Sequence, residues 1–130
     1  KLITDGDVSG ALLVTDDKHC VDIFLGIGGG PEGVLAASAL DAFECSFQGR
    51  FLFKTEDDKI RAKKMGINDL NKKYELNEIV SGDSIFCATG ITSGDLVSGI
   101  KLDGQNFLSE TLVTHKSSGF KEIVKHKKKI

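Results

Sequence analysis

The stretch Gly26-Ile27-Gly28-Gly29-Gly30-Pro31-Glu32-Gly33 has the residue types best suited to chemistry. Its glycines leave backbone N–H groups uncovered, and at a helix start these point the same way as the positive end of the helix dipole. That arrangement suits an anion such as phosphate. The stretch follows an apolar run, and the carboxyl ends of strands are where open α/β sheets bind ligands. Glu32, in the first helical turn, offers a hard oxygen donor for a divalent cation whose remaining ligands would be water and phosphate oxygens. A tight strand-to-helix turn with an ordinary dipole-pairing glutamate accounts for the pattern equally well, because glycine-rich turns are common. A dinucleotide fingerprint fits less well, since Pro31 stands where its third glycine belongs, and no phosphate-loop Gly-Lys-Ser/Thr is present.

A second constellation, Asp5-Gly6-Asp7, sets two carboxylates before Val8, Ala11 and Leu12, which recur at helical spacing. They could accept hydrogen bonds from sugar hydroxyls or bind metal. Helix capping is the commoner role for Asp at such a junction. His19, His115 and His126 have no ligand-like spacing and read as isolated surface or edge residues, and no Ser stands in a Gly-x-Ser-x-Gly elbow.

The elements that would carry these groups alternate strand and helix, which points to an α/β layer with a mainly parallel sheet. Residues 21–27 are apolar except for Asp22, as in a strand covered on both faces. Residues 32–43 are apolar around most of a helix and predict a buried one, with Pro31 at its first position and Glu32 opposing the dipole. Phe47, Phe51 and Phe53 suggest a further strand. Residues 55–65 read as a surface helix ended by Gly66, residues 84–89 as a strand, and residues 111–114 and 120–124 as short closing strands.

The chain has 130 residues, 40% of them hydrophobic and 28% charged, which suits a single globular domain. Its apolar runs are broken well short of the roughly 18 to 20 residues of a membrane span, so a soluble protein is expected. Cys20, Cys45 and Cys87 lie far apart and are odd in number, predicting buried, reduced thiols in a cytoplasmic protein. Residues 116–130 hold six Lys and one Glu, leaving 11 basic and 18 acidic side chains in the first 115. The Lys run at 125–129 is expected to be a frayed, solvated tail rather than a ligand-steering patch. No aromatic residue interleaves with it to stack on bases, so nucleic-acid binding is not expected.

Leu2-Ile3-Thr4-Asp5-Gly6-Asp7-Val8, the string GIGGGPEGVLAA from Gly26 to Ala37, Gln48-Gly49-Arg50, and Ala88-Thr89-Gly90-Ile91-Thr92-Ser93-Gly94-Asp95-Leu96 occur in a telling order. In order and spacing they resemble the C-terminal half of class II (GlpX-type) fructose-1,6-bisphosphatases. Glu110-Thr111-Leu112-Val113 and Ser117-Ser118-Gly119 extend the likeness over nearly all the chain. The resemblance implies an α/β C-terminal lobe of a two-lobed, inositol-monophosphatase-like sugar phosphatase fold, its mainly parallel sheet flanked by helices. That lobe would span residues 1–124, with 125–130 a basic tail.

The implied reaction is Mn²⁺- or Mg²⁺-dependent hydrolysis of the 1-phosphate of fructose 1,6-bisphosphate to fructose 6-phosphate, a gluconeogenic step. By resemblance Asp5, Gly6, Asp7 and Gly29 contact substrate and Glu32 ligates metal. The other metal carboxylates and the groups that activate water are expected in an N-terminal lobe that this sequence lacks. The isolated chain is therefore expected to be inactive, with the missing lobe as its partner; homo-oligomerisation stays open, and no membrane or nucleic-acid partner is expected. Sedoheptulose-1,7-bisphosphatase activity, within the same family, and a non-catalytic nucleotide-binding module are the alternatives.

Overall fold

The computed structural model describes residues 2–3 and 6–129. Helix α1 (Asp7–Leu12) starts on Gly6, whose φ of 86° is left-handed and suits glycine, and Gly10 N–H donates to the Gly6 carbonyl at 2.7 Å. Asp7 is the first helical residue and makes no side-chain capping bond, so the capping role expected of the Asp pair is not taken by Asp7. Asp5 lies outside the described residues.

Helix α2 (Gly30–Ala42) follows the glycine run, with Pro31 in its first turn. Ala36, Ala37, Ala39, Leu40 and Ala42 are buried, whereas Val34 and Leu35 stay about half exposed, so the helix is buried on one side rather than all round. The alanines let α1 approach closely, and Ala11, Leu12, Ala36, Ala39 and Leu40 form one core with Phe86 and Leu112 of the main sheet.

That sheet is built on β5 (Asn106–His115). β3 (Ile85–Thr89) pairs with residues 111–115 of β5, β4 (Lys101–Asp103) with residues 106–108, and β6 (Phe120–Lys129) with β5 over its whole length. Every pairing is antiparallel, including the small ladder of β1 (Gln48–Gly49) with β2 (Tyr74–Glu75). The expected parallel sheet is therefore corrected. Parallel neighbours need a crossover of a dozen or more residues, whereas β4, β5 and β6 are joined by short turns that use left-handed Gly104 and Gly119. Phe86 and Ala88 of β3, with Thr114 and Leu112 opposite them, face the helices.

Other expectations fare unevenly. Helix α3 (Glu56–Lys64) lies within the expected residues 55–65 and is followed by left-handed Gly66 as the sequence predicts, and Thr55 and Asp58 cap its start reciprocally. Residues 21–27 belong to no sheet and are largely exposed, so they are not a strand covered on both faces. The strand expected around Phe47 to Phe53 shrinks to β1; Phe51 instead stacks on Phe53 at 6.0 Å and meets the edge of Tyr74 at 5.8 Å. Lys125–Lys129 are not frayed, because they form the last half of β6. The thiols are free as expected, but Cys20 and Cys87 are exposed and Cys45 only partly covered. Among the described residues no helix is long and apolar enough to cross a membrane.

One buried polar atom has no partner among the described residues: the hydroxyl of Thr114, on the helix-facing side of β5. A buried, unpaired hydroxyl carries its desolvation cost uncompensated. Thr114→Val keeps the shape and removes the orphan, so it should stabilise the chain by about 1 kcal/mol. The urea midpoint would rise, and a fall would show that the hydroxyl is satisfied.

Candidate functional site

The glycine run reaches its place through Phe24. A methyl on Gly10, in α1, would collide with the Phe24 ring and with Ile3, and a methyl on Gly26 would meet the other edge of that ring. Phe24 therefore sits between the two glycines and pins the run against α1. The run then delivers Gly28 and Gly29 to the start of that helix.

At Gly28 and Gly29 the absent side chains are the point. The space a Cβ would fill on Gly28 is held by the carboxylate of Asp7, and the corresponding space on Gly29 by the carboxylate of Glu32. The two Cα atoms are about 3.8 Å apart across one peptide bond, so both acidic groups lie against a single turn. Gly29 is the N-cap of α2, and its carbonyl accepts from Gly33 N–H at 3.0 Å. The leading N–H groups of a helix have no carbonyl within it, so donors lie beside the carboxylates. Asp7 and Glu32 are both exposed, and neither makes an ion pair or hydrogen bond with another described residue. Carboxylates in this state are open to a ligand.

The structure thus brings Asp7, Gly29 and Glu32 together, with Gly6 turning the chain just before Asp7. Asp5 is outside the described residues. Among those residues no group of three or more His, Cys, Asp or Glu is placed to hold a metal ion. Glu32 has the hard oxygen that Mn²⁺ or Mg²⁺ prefers, but the described residues do not by themselves complete a shell of six or so oxygens.

The motif of residues 88–96 comes beside α1 at Gly94 and Asp95. Gly90 N–H bonds the Glu110 carbonyl at 3.0 Å, and Ser98 N–H bonds the Glu110 carboxylate at 2.9 Å; the latter bond foremost holds that carboxyl below its ordinary range. Gly90 and Gly99 press so closely on backbone atoms of this loop that a Cβ at either would clash. A cavity of about 270 Å³ lies between loop and helix, lined by Ile3, Ser9, Gly10, Leu13, Gly94 and Asp95, and none of Asp7, Gly29 or Glu32 reaches it.

His115, expected to be isolated, is not. Its Nε2 lies 2.8 Å from Asp83 Oδ2 and 3.0 Å from Ser117 Oγ, and its Nδ1 lies 2.8 Å from Ser118 Oγ. Ser117 Oγ also donates to Asp83 Oδ2 at 2.7 Å. A carboxylate only accepts, so Nε2–H donates towards Asp83, and Ser118 Oγ donates to Nδ1 in the tautomer that leaves Nδ1 bare. The sequence hides this cluster because Asp83 precedes His115 by 32 residues. It ties the β5–β6 turn to the approach to β3.

These features define a chain of mixed α/β structure that offers two unpartnered carboxylates and a helix start on one glycine turn. Residues 1–128 match the family described as "Bacterial fructose-1,6-bisphosphatase, glpX-encoded". The chain belongs to that family. It is 38% identical over 131 aligned residues to the D-fructose 1,6-bisphosphatase class 2/sedoheptulose 1,7-bisphosphatase of Synechococcus sp. (strain JA-3-3Ab), with 91% of this chain and 38% of the relative covered. The protein of the same name from Synechococcus sp. (strain JA-2-3B'a(2-13)) gives the same figures. With D-fructose 1,6-bisphosphatase class 2/sedoheptulose 1,7-bisphosphatase 2 of Acaryochloris marina (strain MBIC 11017) it shares 38% identity over 125 residues, 86% of this chain and 36% of that protein. The chain therefore spans well under half the length of these relatives.

Two predictions follow from the geometry. Neither Gly28 nor Gly29 has a positive φ, so alanine is tolerated by the backbone, and the atoms it displaces are the ends of flexible side chains. Gly28→Ala should shift the carboxyl ¹³C resonance of Asp7 and Gly29→Ala that of Glu32, with the melting midpoint unchanged or slightly raised. Unmoved resonances would mean that the carboxylates lie elsewhere.

The second concerns acid. Ser117 foremost, and then His115, hold the Asp83 carboxyl below its ordinary range. A depressed carboxyl pKa gives stability that is complete above the unfolded value of about 3.9 and is lost as pH falls through the folded value. Thermal melts below about pH 4 should therefore show a shallower acid loss for Asp83→Asn than for the parent chain. Parallel curves would dissociate Asp83 from that loss.

Proposed function

We propose that this chain is part of a sugar bisphosphatase that hydrolyses the 1-phosphate of fructose 1,6-bisphosphate to fructose 6-phosphate, a gluconeogenic step. The observation that carries this reading is the pair of unpartnered carboxylates over Gly28 and Gly29 at the start of α2, in a chain of the glpX-encoded family. The relatives' names support fructose 1,6-bisphosphate as substrate and equally support sedoheptulose 1,7-bisphosphate, which differs only in the sugar to be contacted.

In this reading Asp7, with Asp5 and Gly6, accepts hydrogen bonds from sugar hydroxyls and so fixes the orientation of the ring. Gly29 lets substrate approach the backbone, and the first N–H groups of α2 face phosphate oxygens. Glu32 is one ligand of Mn²⁺ or Mg²⁺. When bound, that ion supplies positive charge opposite the charge that develops on the phosphoryl oxygens. The remaining ligands and the groups that deprotonate water come from the N-terminal lobe, which the length of the relatives leaves room for. The free thiols of Cys20, Cys45 and Cys87 suit a reducing compartment, and we place the enzyme in the cytoplasm.

The test is kinetic, on the full-length enzyme. Glu32→Gln should raise the Mn²⁺ concentration needed for half-maximal phosphate release at least about tenfold, the loss of one charged ligand, while the fold is kept. Asp7→Asn should lower turnover or affinity for fructose 1,6-bisphosphate without lowering the melting midpoint. The 130-residue chain alone should release negligible phosphate and regain activity when the N-terminal lobe is supplied. Unchanged metal dependence in folded Glu32→Gln, or robust turnover by the isolated chain, would overturn the assignment of groups.

A further inference from the structure

Residues 21–27 are an apolar run that pairs with no strand among the described residues. Ile23, Leu25 and Ile27 are 71%, 83% and 80% exposed, while Phe24 between them is partly buried against the core, beside Gly10 of α1. Exposed aliphatic side chains at 23, 25 and 27 around a Phe24 that packs on the core suit a strand with one face covered and the other open to cover. No backbone group in residues 21–28 hydrogen-bonds to a described residue, and the segment joins neither sheet. Three large aliphatic side chains in a row on an unpaired edge mark an interaction surface rather than scattered surface apolarity.

We propose that this run docks a β-strand contributed by the remainder of the parent polypeptide, which pairs with its backbone and covers Ile23, Leu25 and Ile27. The inference rests on the proposed function above and names the surface through which the rest of the enzyme reaches this lobe. Two observations select the occupant. The relatives continue for more than half their length beyond the part matched here, so a covering segment of the same polypeptide is at hand. The run also ends at Gly28, where Asp7 and Glu32 lack the further ligands a metal shell needs. A strand laid along residues 21–27 ends beside that turn and brings new side chains to it. A second copy of this chain would cover the same residues but add only another Asp7 and Glu32. Backbone pairing gives such a joint its affinity, and the alternate pockets around the three aliphatic side chains give it register.

Amide hydrogen exchange tests this in the full-length enzyme and in the 130-residue chain. Leu25, Gly26 and Ile27 should exchange at near-peptide rates in the chain and at least about 100-fold more slowly in the full-length protein. Leu25→Lys in the full-length protein should erase most of that protection, while Leu25→Val should retain it. Equal exchange in the two proteins, or full protection in Leu25→Lys, would overturn the proposal. Protection in the chain alone that rises with concentration, together with a dimer in sedimentation, would overturn it in favour of a second copy. Phosphate release by the unmutated full-length protein is scored separately. Protection without turnover would sink the phosphatase reading and leave the interface standing, and turnover without protection would do the reverse.

Discussion

The close approach of α1 to α2 is the constraint on which the other features depend. Ala36 and Ala39 have almost no side chain to hold the helices apart, and Gly10 has none, so Leu12, Leu40 and Phe24 fill the space between the two helices and the adjoining run. Because α1 and α2 are locked side by side, the two helix starts are locked as well, and each start bears one acidic residue, Asp7 and Glu32. A larger side chain on the shared face would separate the helices and the carboxylates together. Overpacking of this kind commonly costs about 1 to 3 kcal/mol in well-packed cores, a sizeable part of the roughly 5 to 15 kcal/mol by which domains are stable. Core packing and site geometry are one problem in this chain.

How far the amino-acid order discloses this differs from element to element. Helix α3 is legible because its signals are local: Thr55 and Asp58 three residues apart, and Gly66 past the end. Helix α2 is legible for the same reason, through Pro31 and Glu32. Residues 21–27 mislead because a nearly continuous apolar run records a tendency to be covered, whereas strand structure needs a hydrogen-bonded neighbour, which these residues do not have among the described ones. The Lys-rich end misleads in the opposite sense. Lysine has weak strand preference, yet a ten-residue register with β5 fixes β6 through its backbone, whatever its side chains favour.

The candidate site divides in the same way. The residue types at 5–7 and 26–33 announce carboxylates and an exposed helix start, and the family likeness says what they would contact. The fit of Asp7 over Gly28 and of Glu32 over Gly29 is not written in either motif, since it arises from space left empty by two residues. The His115 cluster is equally silent in the sequence. Its members meet because β3 and β5 pair in antiparallel register, with Ile85 opposite His115, which brings the approach to β3 up to the β5–β6 turn.

The full-length pairing of β6 fixes where the charge of the molecule resides. A loose tail of lysines would spread its charge through solvent and average it away, but lysines at 121, 125, 127, 128 and 129 on one edge strand form a fixed positive rim on a chain whose formal net charge is -2. The chain is then a permanent electric dipole as well as a weak anion. At low ionic strength, where the Debye length is about 30 Å at 0.01 M, the rim of one molecule sees the acidic body of another, and at about 0.15 M that reach shrinks to about 8 Å. Colloidal behaviour should follow the dipole more than the net charge: the second virial coefficient is attractive in dilute buffer and turns repulsive on adding salt, the order opposite to that of a simple anion.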